Sequence, residues 1–527
     1  MSLRHRKDFG SFVAALAGSA LGLCFLIELP VVVPLSATTL GLASFSNSKD
    51  VSSAIRKGAL FGVFGCGVAA AWFPGLLGSL DASIAARLGG FAALVLWCGG
   101  LPWALVGLLA FGLRAAPLWL GALGIGLAVG LLDLWANTPP WGIPGFLLSY
   151  PLIRSEGVAQ LAVVGGAGLV SAVGAGSAYA VARGEGARGR VRVLAVLGAS
   201  WLALALGGLA LAEALRGRGD AASAAPPVRA LFVQPDFDHA ARWQPDLQRV
   251  HLEELVGFTL DELEARTAAG RSPDVVFWPE TTFTLPVDRT PAFEAALLEA
   301  VGAIGRPVVA GFVLGGRGAA EPETDRYRNV VAWLDPERGI VSVSEKAIAI
   351  PVFESAGDSL LERGLRGFTG EAGDWPRAER APFGEPLRGD FEVGVLLCYE
   401  ALFEHAGRAR RGEATLALVN LADDSWIDDP RPTRQLTAFA AYRAIEQRLP
   451  FVRLAHGGLS AAFDEYGRER ARLPLDRFAA LEVELRPTRP PGAVERLGLL
   501  LLFVGPGAAV AALGSGASRS PAPKPIA

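Results

Sequence analysis

The sequence predicts an α-helical transmembrane bundle joined to an extramembrane α/β domain. Three observations carry this expectation. Hydrophobic residues make up 51% of the chain and charged residues only 19%, against about 25% charged in ordinary soluble proteins. Long apolar runs crowd the chain before residue 216, each near the roughly 20 residues that a spanning helix needs. From Val228 onward charges become frequent, and short β-rich runs alternate with helix-like stretches. The net charge of −3, with no basic block and no zinc-type Cys/His cluster, gives no sign of a nucleic-acid partner or a metal site.

The first element opens behind Arg4, His5, Arg6 and Lys7 with an apolar run from about Phe12 to Val33. It looks like a signal peptide, but no small-residue cleavage site leads into a polar domain, so it reads as a first span. The candidate spans are Phe12–Leu29, Val31–Phe45, Gly58–Leu80, Leu88–Leu113, Pro117–Ala136, Val158–Ala182 and Val191–Leu215. The second is short and interrupted by Pro34. Charge distribution supports it nevertheless. With seven helices and the N-terminus inside, the basic segments Met1–Lys7, Asn47–Lys57, the Arg114 turn and Arg183–Arg192 all fall on the cytoplasmic side. The expected organisation is a seven-helix domain over 1–216, a small-residue and proline linker over 217–227, a domain over 228–490, a last helix over 494–513 and a disordered tail over 514–527. Seven crossings place the 228–490 domain outside the cytoplasm.

Within that domain the runs Val228–Pro235, Asp274–Glu280, Pro307–Leu314, Asn329–Asp335, Phe391–Glu400, Ala414–Asp424, Phe451–Gly458 and Ser460–Gly467 read as strands. Leu247–Ala268, Pro291–Ile304 and Arg434–Arg448 read as helices. Continuous Val/Leu/Phe runs are the pattern of strands buried on both faces.

Reactive groups in such folds collect where strands end. FWPE ends on Glu280, VSVSEK on Lys346 and VGVLLCYE reaches Cys398. Of the four cysteines, Cys24, Cys66 and Cys98 lie in apolar runs and Cys398 stands alone in the polar domain. A cysteine at a strand-to-helix turn lies near helix N-terminal amides, which favour the thiolate. Each residue has a plainer reading: a solvated carboxylate for Glu280, a surface lysine for Lys346, a buried small hydrophobe for Cys398. His456 is the histidine that would pair with Cys398 in space, which leaves a Cys-His hydrolase open. A transporter or scaffold is disfavoured, because the spans hold few ionisable residues beyond Glu28 and Asp133.

Together, Glu280 in VVFWPET, Lys346 in VSEKAIAIPVFE, Cys398 in VGVLLCYEALF and the segment NLADDSW resemble the nitrilase (carbon–nitrogen hydrolase) superfamily. That resemblance implies a nitrilase-like αββα sandwich with a Glu-Lys-Cys triad. Helices, then such a domain, then one more helix resemble the apolipoprotein N-acyltransferase family over nearly the whole chain. VQPDFDHAARW matches that family's opening and would make Trp243 an active-site residue. Glu354, eight residues after Lys346, matches a second glutamate, and Cys398-Tyr399-Glu400 matches CYE. The chain departs from the family at AIAIPVFE (usually HLVPFGE), at ADDSWID (SNDAWFG) and at AHGGLSA.

The resemblance implies a ping-pong acyl transfer without metal or organic cofactor. Glu280 would be the base, Cys398 the nucleophile and Lys346 an oxyanion donor that also lowers the thiol's proton affinity. Glu354 and Glu400 would orient the lysine and the cysteine loop. A phospholipid, by the family's preference phosphatidylethanolamine, would donate the acyl chain to the α-amine of a diacylated apolipoprotein. The implied location is the bacterial inner membrane, with the α/β domain on the periplasmic side. Ile348, Ile350, Val352 and Phe353 fit either a lid touching acyl chains or ordinary core. The alternatives are a membrane-bound amidase or nitrilase acting on a small amide, or a diverged relative with another acyl donor or acceptor.

Overall fold

Apolar helices fill the first part of the chain and two β-sheets the second. The structure is a computed structural model that describes the chain apart from residues 1–2, 80–81, 140–141, 185–188, 200, 203–205, 209, 211–225, 316–325, 351–353, 355–376, 379–386, 428, 489, 494 and 501–527. Two units emerge: Met1–Ala71, Phe91–Leu215 and Pro491–Ala527 form the first, Trp72–Gly90 and Arg216–Pro490 the second.

Among the described residues, four stretches are long and apolar enough to cross a membrane: Phe9–Leu26, Ile84–Ala115, Leu118–Ala136 and Ala162–Arg183. Val51–Ala69 and Phe73–Ser79, bent by 48°, make a fifth if counted as one span. The helix Val32–Ser46 forms in spite of Pro34, which falls in its first turn, where a missing N–H costs no hydrogen bond. The third helix starts at Val51 rather than near Gly58, because Asp50 caps it by accepting from Ser53 N at 2.7 Å. Its polar first turn hides that start from a hydropathy reading. The expected seventh span is described only in part, and most of the expected 494–513 helix, with the 514–527 tail, lies outside the described residues. Helices here approach through small residues. A Cβ on Gly62 would strike the Gly99 carbonyl, so this contact needs glycine.

The second unit carries the strands β1 (Val228–Gln234), β2 (Val275–Phe277), β3 (Phe283–Pro286), β4 (Val308–Gly315), β5 (Arg326–Asp335), β6 (Gly339–Glu345), β7 (Arg377–Ala378), β8 (Leu387–Arg388), β9 (Glu392–Leu397), β10 (Thr415–Asp423), β11 (Phe451–His456), β12 (Ala461–Phe463), β13 (Glu469–Arg472) and β14 (Ala479–Leu485). One sheet runs β14-β1-β2-β4-β5-β6, with β3 beside β4 and β7 beside β5. The other runs β13-β12-β11-β10-β9-β8. β14, which the sequence reading does not anticipate, lies antiparallel to β1.

Side-chain alternation sorts the strands into layers. Leu231, Val233, Val276, Trp278 and Ala310 pack outward against Leu255 of the helix Gln248–Ala268 and Leu297 and Val301 of the helix Pro291–Ile304. Ala230, Phe232, Phe277, Val309 and Trp333 point the other way and meet Val395, Leu397, Val419, Leu421 and Val452 of the second sheet. The helices Glu404–Ala409 and Pro430–Gln447 pack against the second sheet and the turn after β9. The result is the expected helix–sheet–sheet–helix sandwich. Burying each large apolar side chain contributes about 1.5–3 kcal/mol, so the inner layer is the main source of cohesion.

β2 and β4 are parallel, as are β9, β10 and β11. β6 is two antiparallel steps from β4 and therefore runs with it. The chain consequently leaves β2, β4 and β6 at one common edge of the first sheet, and β9, β10 and β11 at one common edge of the second.

Candidate active site

Glu280 follows β2 in a tight turn. The next residue, Thr281, has φ +45°, a costly conformation for a β-branched side chain. Gly311 on β4 permits this turn, since a Cβ there would lie 2.6 Å from the Glu280 Cα. The carboxylate is buried and fully engaged. Oε1 accepts from Asn329 Nδ2 at 2.8 Å and from Lys346 Nζ at 2.9 Å, and Oε2 accepts from Asp423 N at 3.0 Å.

Lys346 follows β6 and is also buried. Its Nζ donates to Glu280 Oε1 and, at 2.7 Å, to Glu354 Oε1. Glu354 Oε2 accepts from Ile350 N at 2.8 Å. The plain readings of Glu280 and Lys346 as solvated surface groups do not hold: a buried carboxylate and a buried lysine stand paired.

Cys398 begins the turn Cys398–Leu402 directly after β9, with φ +45°. It packs with Ala422 and Ala455. Its carbonyl accepts from Asn420 Nδ2 at 3.1 Å. Glu400 braces the turn: Oε2 accepts from Leu397 N at 2.8 Å, while Oε1 accepts from Ala347 N at 2.6 Å and Ile348 N at 3.2 Å. One carboxylate thus ties the cysteine turn to the loop that follows Lys346. Arg410 adds a second tie, donating to Glu345 O at 2.9 Å and to Ser344 Oγ.

Lys346 does lower the proton affinity of the Cys398 thiol, but burial and then the Glu280 carboxylate outweigh it, so the thiol is held well above the usual range and the expected thiolate is not favoured at rest. Burial, only partly offset by Lys346, pushes Glu280 up to about 7. Burial works against the Lys346 ammonium, yet Glu280, Glu354 and Cys398 hold it well above the usual lysine range. The resting site is therefore a protonated thiol, a charged lysine and a carboxylate that takes and releases a proton near neutral pH. Such a set can abstract a thiol proton on demand and stabilise an oxyanion.

His456 does not supply a Cys-His pair. Its Nε2 accepts from Phe237 N at 2.9 Å, and its Nδ1 lies 3.7 Å from Asp423 Oδ1. Burial, with Arg242 nearby, pulls it down to about 4, so the ring is neutral at physiological pH.

No family model matches the chain. Among curated proteins, the apolipoprotein N-acyltransferase of Brucella suis biovar 1 is 29% identical over 503 residues, covering 91% of this chain and 89% of that protein. The chain is a relative of the apolipoprotein N-acyltransferases. The protein of that name from Allorhizobium ampelinum is 29% identical over 81% of this chain and 79% of its own. The one from Geobacter metallireducens is 25% identical over 49% and 48%. Among solved structures, a carbon–nitrogen hydrolase from Helicobacter pylori G27 aligns with a TM-score of 0.36 and 13% identity, over 49% of this chain and 89% of its own. An amidase from Nesterenkonia sp. aligns with a TM-score of 0.35 and 13% identity, over 50% and 93%.

The remaining residues that the sequence singles out divide. Tyr399 is buried beside the cysteine with its ring edge-on to Phe403, the centroids 5.1 Å apart. Trp243 is half-buried just after the short helix His239–Arg242, its ring edge-on to His239 at 6.5 Å. Ile348 is buried and Ile350 half-buried, while Val352 and Phe353 lie outside the described residues. Sequence reasoning misses Asn329, Gly311, Arg242 and Asp423. The paired acids of NLADDSW carried a signal, because acidic residues in a core strand need cations.

Proposed function

We propose that this chain transfers an acyl group from a phospholipid, through a thioester on Cys398, to the α-amine of the diacylglyceryl-cysteine of an apolipoprotein. The carrying observation is the ion triad Glu280–Lys346–Glu354, in which the buried Glu280 and Lys346 follow the ends of β2 and β6, with Cys398 buried at the end of β9 within reach of their charges. The relatives named above, matching over most of the chain, supply the substrate class.

In the first step Glu280 takes the Cys398 proton as sulfur attacks the ester carbonyl of phosphatidylethanolamine. Lys346, joined by a backbone N–H near Tyr399, donates to the developing oxyanion. The C–O bond breaks, lysophospholipid leaves with the proton, and the acyl thioester remains. In the second step the amine attacks the thioester, Glu280 accepts its proton, the C–S bond breaks and the thiol is restored. Glu354 and Glu400 hold the lysine and the cysteine turn. Neither half-reaction requires a metal or organic cofactor. Both substrates carry lipid chains, which accounts for a catalyst built onto apolar helices, and a water-poor site preserves the thioester for the amine. The same reading assigns 1–216 as a seven-helix membrane domain, 217–227 as linker, 228–490 as catalytic domain and 494–513 as a last helix. By the Lys/Arg bias, the catalytic domain faces the periplasm of a bacterial inner membrane.

The test mixes purified chain with phosphatidylethanolamine and a diacylated lipopeptide. N-acyl lipopeptide should form, and Cys398→Ala should abolish it. Ammonia or free acid without N-acyl lipopeptide would instead mean a membrane-bound amidase.

A further inference from the structure

Arg242 is among the most deeply buried side chains of the chain. Its guanidinium joins two loops from different sheets. Nη1 donates to Asp423 Oδ2 at 2.7 Å and to Ser425 Oγ at 2.9 Å, and Nη2 donates to the Thr281 carbonyl. Its own carbonyl is held by Thr284 Oγ1 at 2.8 Å and by Gln248 Nε2. Asp423 closes the ring, because its backbone N–H donates to Glu280 Oε2. The path runs from Glu280 through Asp423 and Arg242 to Thr281, the strained residue next to Glu280. No sequence motif announces it, since Arg242 and Asp423 stand 181 residues apart.

We propose that Arg242 and Asp423 form a charge-balanced latch that positions the Glu280 carboxylate and sets its proton affinity. This rests on the reading of Glu280 as the base. The geometry assigns each partner a separate task. Asp423 brings a backbone donor to Oε2 and a negative charge close to Glu280. Arg242 neutralises that charge and clamps the Thr281 turn with the two ends of one planar fork, which a lysine cannot reproduce. The other groups facing Glu280 are Lys346, Glu354, Cys398 and the Asn329 amide. Those facing Asp423 are His456, neutral at working pH, and Ser425, whose hydroxyl also meets His239 Nδ1 at 2.9 Å.

The two halves of the latch predict opposite shifts. Asp423→Asn keeps the backbone donor and removes the negative charge, so Glu280 should lose its proton at lower pH. Arg242→Gln leaves the Asp423 charge unbalanced, so Glu280 should lose its proton at higher pH. Arg242→Lys keeps the charge and loses the fork, so the rate should fall without a shift in pH.

The test uses full-length chain in detergent. It follows the rate of Cys398 alkylation by iodoacetamide against pH, with mass spectrometry of the Cys398 peptide, and single-turnover acylation by phosphatidylethanolamine. Melting curves confirm that each variant is folded. We expect the acid limb to move by about one pH unit, down in Asp423→Asn and up in Arg242→Gln. We expect Arg242→Lys to acylate about 10- to 100-fold more slowly, the loss that a misplaced reacting group brings. Folded variants whose limbs stay put or move together would overturn the latch. A limb that survives Glu280→Gln, or is absent from the unaltered chain, would overturn the base reading itself. Should either charge-removing variant fail to fold, the double variant Arg242→Gln/Asp423→Asn restores neutrality. A limb restored to within a few tenths of a unit of the parent's then supports the latch, and any other position contradicts it.

Discussion

Two buried acidic residues, joined by the hydrogen bond from the Asp423 backbone N–H to the Glu280 carboxylate, behave in opposite ways. Glu280 is pushed up to about 7, while Asp423 is held well below the usual carboxylate range. Burial acts upward on both, so burial does not distinguish them. Their partners do. Asp423 has the Arg242 guanidinium on its Oδ2 as its own cation, with Ser425 and His456 beside it. Glu280 shares the single ammonium of Lys346 with Glu354, so two carboxylates divide one cation. Asp424, next along the chain, repeats the balanced pattern, accepting from Arg453 Nη2 at 2.6 Å and Thr433 Oγ1 at 2.5 Å. Balanced pairs act as struts, and the carboxylate left short of cation is the one able to exchange a proton near neutral pH.

Breaking the comparison on the Glu280 side has the largest expected effect. Glu280→Gln keeps the shape and one acceptor but removes the base, and acyl transfer should fall about 10³-fold in a single-turnover assay. Lys346→Met leaves Glu280 and Glu354 facing each other without a cation. It should cost about 3–5 kcal/mol of stability, visible as a lower denaturation midpoint, together with loss of acylation. On the strut side, Arg453→Met should cost a similar 3–5 kcal/mol while leaving the acid limb of the pH–rate profile in place. Gly311→Ala drives a methyl against the Pro279–Glu280 backbone and should slow acylation about 10- to 100-fold while lowering the melting temperature. The smallest perturbation is pH itself. In the unaltered chain the base is available only when deprotonated, so acyl-enzyme formation should rise with pH through about 7 and level off above it.

Much of this arrangement was legible before the structure. Glu280 and Cys398 each close a continuous Val/Leu/Phe run, the pattern of a strand buried on both faces, while Lys346 closes the alternating run VSVSEK, whose strand β6 is exposed over much of its length. Their shared edge then follows from parallel strand directions. The layers were legible for the same reason, since alternate residues of β1 and β2 face different cores. What was not legible depends on contacts distant in sequence. Arg242 meets Asp423 only because two loops converge, and nothing near either residue encodes the other. The left-handed turns at Thr281 and Cys398 break local preference, so residue type pointed away from them. The net shift of Cys398 is not legible from a neighbouring lysine, because burial and the Glu280 carboxylate, both set by the fold, outweigh it. The start of the helix at Val51 was hidden by its own capping turn, which is polar for a structural reason.

The central claim is that Cys398 carries the acyl group. The direct measurement is peptide mass spectrometry after the purified chain meets phosphatidylethanolamine without an acceptor. The account predicts a Cys398 peptide heavier by one acyl chain, sensitive to hydroxylamine and lost when a diacylated lipopeptide is added. An unmodified Cys398 peptide, alongside N-acyl lipopeptide still formed by Cys398→Ala, would contradict it.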